Sequence, residues 1–128
     1  MRIPVTLLYG GLTALMVTLL GANVSRLRIA HKAGVTDPLP RELVRPVRAH
    51  ANAAEWVPLG LVLLLALEAA GPRSPLALHL AGGTFFLARA LHAAGVYTRT
   101  PLSTVGAALN YVVLGAMSVW ALAQRLPG

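Results

Sequence analysis

Cysteine is absent from the 128 residues, and charged residues make up only 12% of them. The first absence excludes disulfides, thiolate metal sites and a cysteine nucleophile, and it leaves the redox state of the compartment unread. The second removes the chain from the ordinary soluble class, in which about a quarter of residues are charged. Hydrophobic residues take the place of charge: they form 56% of the chain and give a mean hydropathy of +0.67. The class is integral membrane, with room for one domain. A formal charge of +7 would suggest nucleic acid in a soluble domain. Here the basic residues stand beside apolar spans, where they read as a topology signal and as contact with anionic membrane lipid, not as a nucleic-acid surface.

Charge-free lengths set the spans. From Ile3 to Val24 there are 22 positions without a charge, or roughly 33 Å of helix, enough to cross a hydrocarbon core. Met1-Arg2 before an apolar run also fits a signal peptide, but the run exceeds the usual core of roughly 7–15 residues, so a retained helix is expected. Gly34-Val35-Thr36-Asp37-Pro38-Leu39-Pro40 then forms a loop. Between Glu55 and Glu68 only 12 residues are free of charge, too few for a core of roughly 30 Å. The second helix must therefore start near Val47 or before and carry His50, Asn52 and Glu55 into the membrane. The third shows the same deficit, since Leu76 to Ala88 is followed by Arg89, and the helix must also enclose His92. The fourth, from Pro101 to Gln124, has no charge. The expectation is an all-α integral membrane four-helix bundle with helices over about 3–32, 42–69, 75–96 and 101–125.

Basic residues orient it. Arg26, Arg28, Lys32, Arg41, Arg45, Arg48 and Arg99 flank one side, against Arg2, Arg73 and Arg125 on the other. By the positive-inside rule the richer side is cytoplasmic and both termini lie outside. Glu55 and Arg89 each fall seven residues inside that surface, about 10 Å deep, and are expected to pair or share a network. Glu68 and Arg73 read as a solvated edge. Ionisable groups inside a membrane cost about 3 kcal/mol each on insertion scales, so they are functional candidates by default. If helical, Arg48, Asn52 and Glu55 share one face at i, i+4 and i+7, with short alanines between them that leave the face open to a neighbour. A network that merely locks helices together is the plainer reading. His50 and His92 read first as interhelical hydrogen-bonding groups, because no third residue stands at metal-ligand spacing and no metal is expected.

Arg45-x-x-Arg48-Ala49-His50-x-Asn52-x-x-Glu55, followed by an aromatic residue and Pro58 on the second of four spans, resembles the MAPEG family, the membrane-associated proteins in eicosanoid and glutathione metabolism. Phe86-Leu87-Ala88-Arg89 with His92 and Gly95 extends the likeness over nearly the whole chain, as a bacterial-type member at an inner membrane. The resemblance implies a homotrimer with glutathione as co-substrate, bound between neighbouring subunits near the cytoplasmic leaflet. A lipophilic small molecule is the implied second substrate. Carried over by position, Arg48, Asn52 and Glu55 match glutathione-contacting residues, and Trp56 stands where a tyrosine is common. Arg45, His50, Arg26, Arg28, Arg89, His92 and Tyr97 join that candidate set. The chemistry suits the ligand: guanidinium groups hold carboxylates, an acid holds the amine, and an amide holds peptide groups.

The departures concern catalysis. Catalytic members use an arginine after the third-helix tyrosine region to stabilise the thiolate, and here that position falls near Ser103, with Arg99 several residues early. The usual tyrosines are replaced by His92 and by Val96, with Tyr97 one place on. Arg99 is the catalytic candidate if the loop is shifted. Three functions follow in order: a membrane glutathione S-transferase or peroxidase acting on lipophilic electrophiles, a non-catalytic binding or scaffold protein, and a small four-helix transporter using Glu55.

Overall fold

In a computed structural model, which describes residues 2–71 and 74–124, the chain forms four helices: α1 Pro4–Ala30, α2 Arg41–Ala69, α3 Pro75–Thr98 and α4 Leu102–Ala123. α1 ends at Ala30, before the basic pair His31 and Lys32, and α3 runs on to Thr98, past the expected residue 96. α1, α2 and α4 are long and apolar enough to cross a membrane. α3 has the length, 24 residues or roughly 36 Å, but Arg89 and its histidines lower its apolarity. The chain is an all-α integral membrane bundle.

Local signals explain the helix ends. Pro4 and Pro75 open α1 and α3, where the missing N–H costs nothing and the fixed φ is already helical. Ser74 caps α3 by accepting from the Ala77 N–H at 3.4 Å. Arg99 ends α3 in the left-handed region, φ 59°, so its side chain leaves the helix in a direction fixed by the backbone. α2 runs unbroken through Pro46 and Pro58; Pro58 forfeits only its own bond to Ala54.

α2 and α3 form the central pair, each packed on all the others, while α1 and α4 flank them without meeting among the described residues. The core is Phe85, Leu64, Leu67, Met117, Val113 and Leu114, with Val5, Val57 and Leu78 around them. Gly60 on α2 leaves the room that the Phe85 ring fills. α3 and α4 approach closely at two glycines. A β-carbon at Gly95 would overlap the Ser103 backbone, and one at Gly106 would overlap the His92 N and the Ala88 carbonyl. Leu7, Leu8, Leu15 and Leu19 on α1 and Val112, Val119 and Leu122 on α4 are exposed, which is how a span presents itself to lipid tails.

The expected solvated edge at Glu68 is not there. Glu68 is only 9% exposed and its two carboxylate oxygens accept from the Val5 and Thr6 N–H groups at 2.9 and 2.7 Å. α1 has no acidic residue in its own first turn, and the end of α2 supplies the missing cap. Arg73, the other half of that edge, and Arg125 lie outside the described residues.

Candidate functional site

The buried side of α2 is drawn by Pro46, Ala49, Ala53, Val57, Gly60 and Leu64. At about 100° per residue, Asn52 lies at the border of that stripe, and Arg48 and Glu55 fall further round, on the side away from the bundle. Both are exposed, with the equally exposed Ala51 beside them. A cation and a carboxylate thus face outward from a helix that spans the membrane.

Asn52 turns the other way, toward α3. Its Oδ1 accepts from Arg89 Nη1 at 2.8 Å, and Arg89 is 2% exposed. The expected Glu55–Arg89 pair or shared network is therefore corrected to an Asn52–Arg89 hydrogen bond, with Glu55 exposed on another side of α2. Depth alone placed Glu55 opposite Arg89, but three residues of helical rotation carry Glu55 off the α3 seam and leave Asn52 on it. Among the described residues the Arg89 Nε–H finds no acceptor, and on α4 the 2% exposed Asn110 has an Oδ1 without a donor. The interior of this half of the bundle is polar at three helices.

His50, His92 and Trp56 pack within the bundle. His50 packs against Gly21 of α1, its Nε2 lying 3.0 Å from where a β-carbon would stand. His92 Nδ1 lies 2.9 Å from the Ser103 carbonyl. A carbonyl can only accept, so Nδ1 is the donor in this contact. Trp56 stacks edge-on against Tyr111 of α4, ring centroids 5.3 Å apart. Among the described residues no three His, Asp or Glu side chains gather as metal ligands.

At the end where α2 starts and α3 stops, a relay joins α1 to α3. Arg26 Nη2 donates to Asn23 Oδ1 at 2.9 Å, and Asn23 Nδ2 donates to the Tyr97 hydroxyl at 3.0 Å. Arg28 is tied to its own loop through the Gly34 carbonyl at 2.7 Å. Tyr97 also lines an open pocket of about 700 Å³ with Arg41, Glu42, Val44, Arg45, Pro46 and Arg99. The candidate residues therefore divide into an outward face at Arg48 and Glu55, a buried bridge at Asn52 and Arg89, and a cationic pocket at Arg45, Tyr97 and Arg99.

Neither depth nor the family motif marks Arg41 or Asn110 as a site residue. Arg41 stands four residues before Arg45, the interval that puts two side chains on one helical face. Asn110 is a lone amide in the middle of an apolar span, a placement that faces the bundle interior.

The MAPEG family model matches residues 6–123. The inner membrane protein YecN of Escherichia coli strain K12 is 32% identical over 95 residues, covering 74% of this chain and 72% of that relative. YecN of E. coli O6:H1 matches to the same extent.

Proposed function

The chain belongs to the MAPEG family, and from that premise we propose that it binds glutathione on the outward face of α2 and presents it to lipophilic electrophiles in the membrane. The observation that carries this reading is the exposure of Arg48 and Glu55 on a membrane-spanning helix, with the exposed Ala51 and Ala54 between them on that face. Charges on such a surface are expensive unless something covers them. A glutathione carboxylate on Arg48 and the glutathione ammonium near Glu55 would cover both, and the pairs would gain strength from the low dielectric. A neighbouring copy, in a homotrimer with this end toward the cytoplasm, supplies the remaining wall.

Chemistry on the thiol is less well supported than binding. Arg99 lies ten residues beyond Arg89, about 15 Å along the helix direction, and lines the pocket with Arg41 and Arg45. Ser103 stands near the place of the family arginine. Its carbonyl is engaged by His92, its hydroxyl donates to the Thr100 carbonyl at 3.2 Å, and it carries no charge. That arrangement favours a second reading, a glutathione-binding protein without transferase activity. The transporter reading loses ground, because Glu55 faces out of the bundle and Glu68 is engaged by α1.

Thermal unfolding of the detergent-solubilised protein with glutathione tests the binding, since a ligand of the folded state raises the transition, increasingly so as its concentration exceeds the Kd. A shift at millimolar glutathione that Arg48→Ala abolishes is expected. No shift would remove both the transferase and the binding readings. Conjugation of a chromogenic aryl halide then separates the two.

A further inference from the structure

Three guanidinium groups, of Arg41, Arg45 and Arg99, line one open pocket with a single carboxylate, Glu42, leaving an excess of two positive charges. Arg41 and Arg45 come from the first turns of α2, and Arg99 is aimed by the left-handed end of α3. Tyr97 lines the pocket with them. Its oxygen already accepts from Asn23 Nδ2, so its own proton is free to donate into the pocket. The N-cap of α2 is Pro40, which offers no side-chain cap, and the first-turn N–H groups, of which that of Leu43 bonds the Pro40 carbonyl, give this helix end a positive potential. The rest of the lining is apolar, Val44 and Pro46, and Val44 is 40% exposed. None of Arg48, Asn52 or Glu55 lines this space.

We propose that this pocket holds the phosphodiester headgroup of an anionic phospholipid from the adjoining leaflet. The pocket sits at the helix ends, one to three turns closer to the surface than the Asn52–Arg89 bridge, which is the depth of a headgroup. Its cations and one hydroxyl donor suit phosphate oxygens, and guanidinium forks match that geometry. The apolar wall lets the glycerol and the upper acyl chain pass down beside α2. Basic pockets between membrane helices recognise anionic headgroups by this chemistry. The assignment gives Arg99 to a lipid and not to a thiol, and it stands whether or not glutathione binds at Arg48.

The test is thermal unfolding of the full chain in an uncharged detergent, followed by tryptophan fluorescence. The additives are dihexanoyl phosphatidylglycerol, dihexanoyl phosphatidylcholine, glycerol 1-phosphate and glutathione, each titrated separately, and glutathione also against a fixed level of the phosphatidylglycerol. Phosphatidylglycerol should raise the transition with the logarithm of its concentration once that exceeds the Kd, and phosphatidylcholine should not. Arg41→Gln, Arg45→Gln and Arg99→Gln should each weaken the apparent affinity about fivefold, the change expected for one cation near a headgroup. Lys32→Gln, which removes an exposed charge at the same end, should leave it unchanged. Equal responses to the two lipids overturn the proposal, as does a Lys32→Gln loss as large as the pocket variants. A response to glycerol 1-phosphate equal to that of the lipid overturns it in favour of a soluble phosphate ligand. Competitive displacement of phosphatidylglycerol by glutathione overturns it by making the pocket part of the thiol site. If a pocket variant does not fold, the comparison of the two lipids on the unaltered protein decides alone.

Discussion

Arg89 Nη1 donates to Asn52 Oδ1 at 2.8 Å across the seam between α2 and α3, and the guanidinium is 2% exposed. A buried cation held by a neutral amide is a demanding arrangement, because removing the amide leaves the charge with nothing in exchange. Asn52→Leu should cost about 3 kcal/mol on that basis. Arg89→Met should cost less, and the double variant less than the sum of the two. Charge exchange between Glu55 and Arg89 should rescue nothing, whereas Asn52→Asp should keep the bundle folded. Thermal unfolding of the five variants reads this directly, and rescue by the exchange would show that the two helices pair differently.

The crossing of α3 and α4 gives a second expectation. A β-carbon at Gly106 would meet the backbone of His92 and Ala88, which cannot swing aside as a side chain can. Gly106→Ala should destabilise by about 2 kcal/mol or more, the scale of overpacking at a rigid contact. Gly10 and Gly11 on α1 have open space within 4 Å, so alanine there should be neutral or should stabilise by roughly 0.5 kcal/mol through the lower cost of ordering the helix. A large loss at Gly11 would place an undescribed partner against that face.

How much of this the sequence made legible depends on the kind of information. Depth was legible, because span length is a count: too few charge-free residues follow Glu55 or precede Arg89, and both helices had to carry polar groups inward. Rotation about the helix axis was harder, since the buried stripe is defined by Ala49, Ala53 and Gly60, small residues that hydropathy barely distinguishes from the alanines on the outer face. That is why Glu55 was matched to Arg89 while Asn52 makes the bond. The family motif found Arg48, Asn52 and Glu55 together but could not say that they face two ways. Glu68 gave no local signal at all, because its partners lie 63 and 62 residues away.

The Glu68 cap is separately testable. Its carboxylate satisfies two N–H groups in the first turn of α1 at once, and charge-assisted bonds of this kind are about twice as strong as neutral ones. Glu68→Ala should cost about 2 kcal/mol, the upper end for loss of an N-terminal cap, and Glu68→Gln less, because an amide oxygen still accepts one bond. Hydrogen exchange should localise the change to the first turn of α1. Uniformly faster exchange across α2 instead would mean that Glu68 holds α2 itself.

Arg48 and Glu55 separate a binding role from a structural one, since within one copy of the chain they are exposed and make none of the contacts that Asn52 makes. Exposed substitutions of this kind usually stay within about 0.5 kcal/mol, so Arg48→Ala and Glu55→Ala should leave the unliganded transition of the dissociated protein almost where it was. The glutathione-induced shift should nevertheless fall in both, because a carboxylate loses its guanidinium in one and an ammonium loses its carboxylate in the other. The two losses should differ in kind: modified glutathione lacking the amino group should be indifferent to Glu55→Ala yet remain sensitive to Arg48→Ala. If both variants instead unfold as easily as Asn52→Leu in the associated protein and not in the dissociated one, the outward polar face is a packing surface between copies, and the ligand must be sought elsewhere.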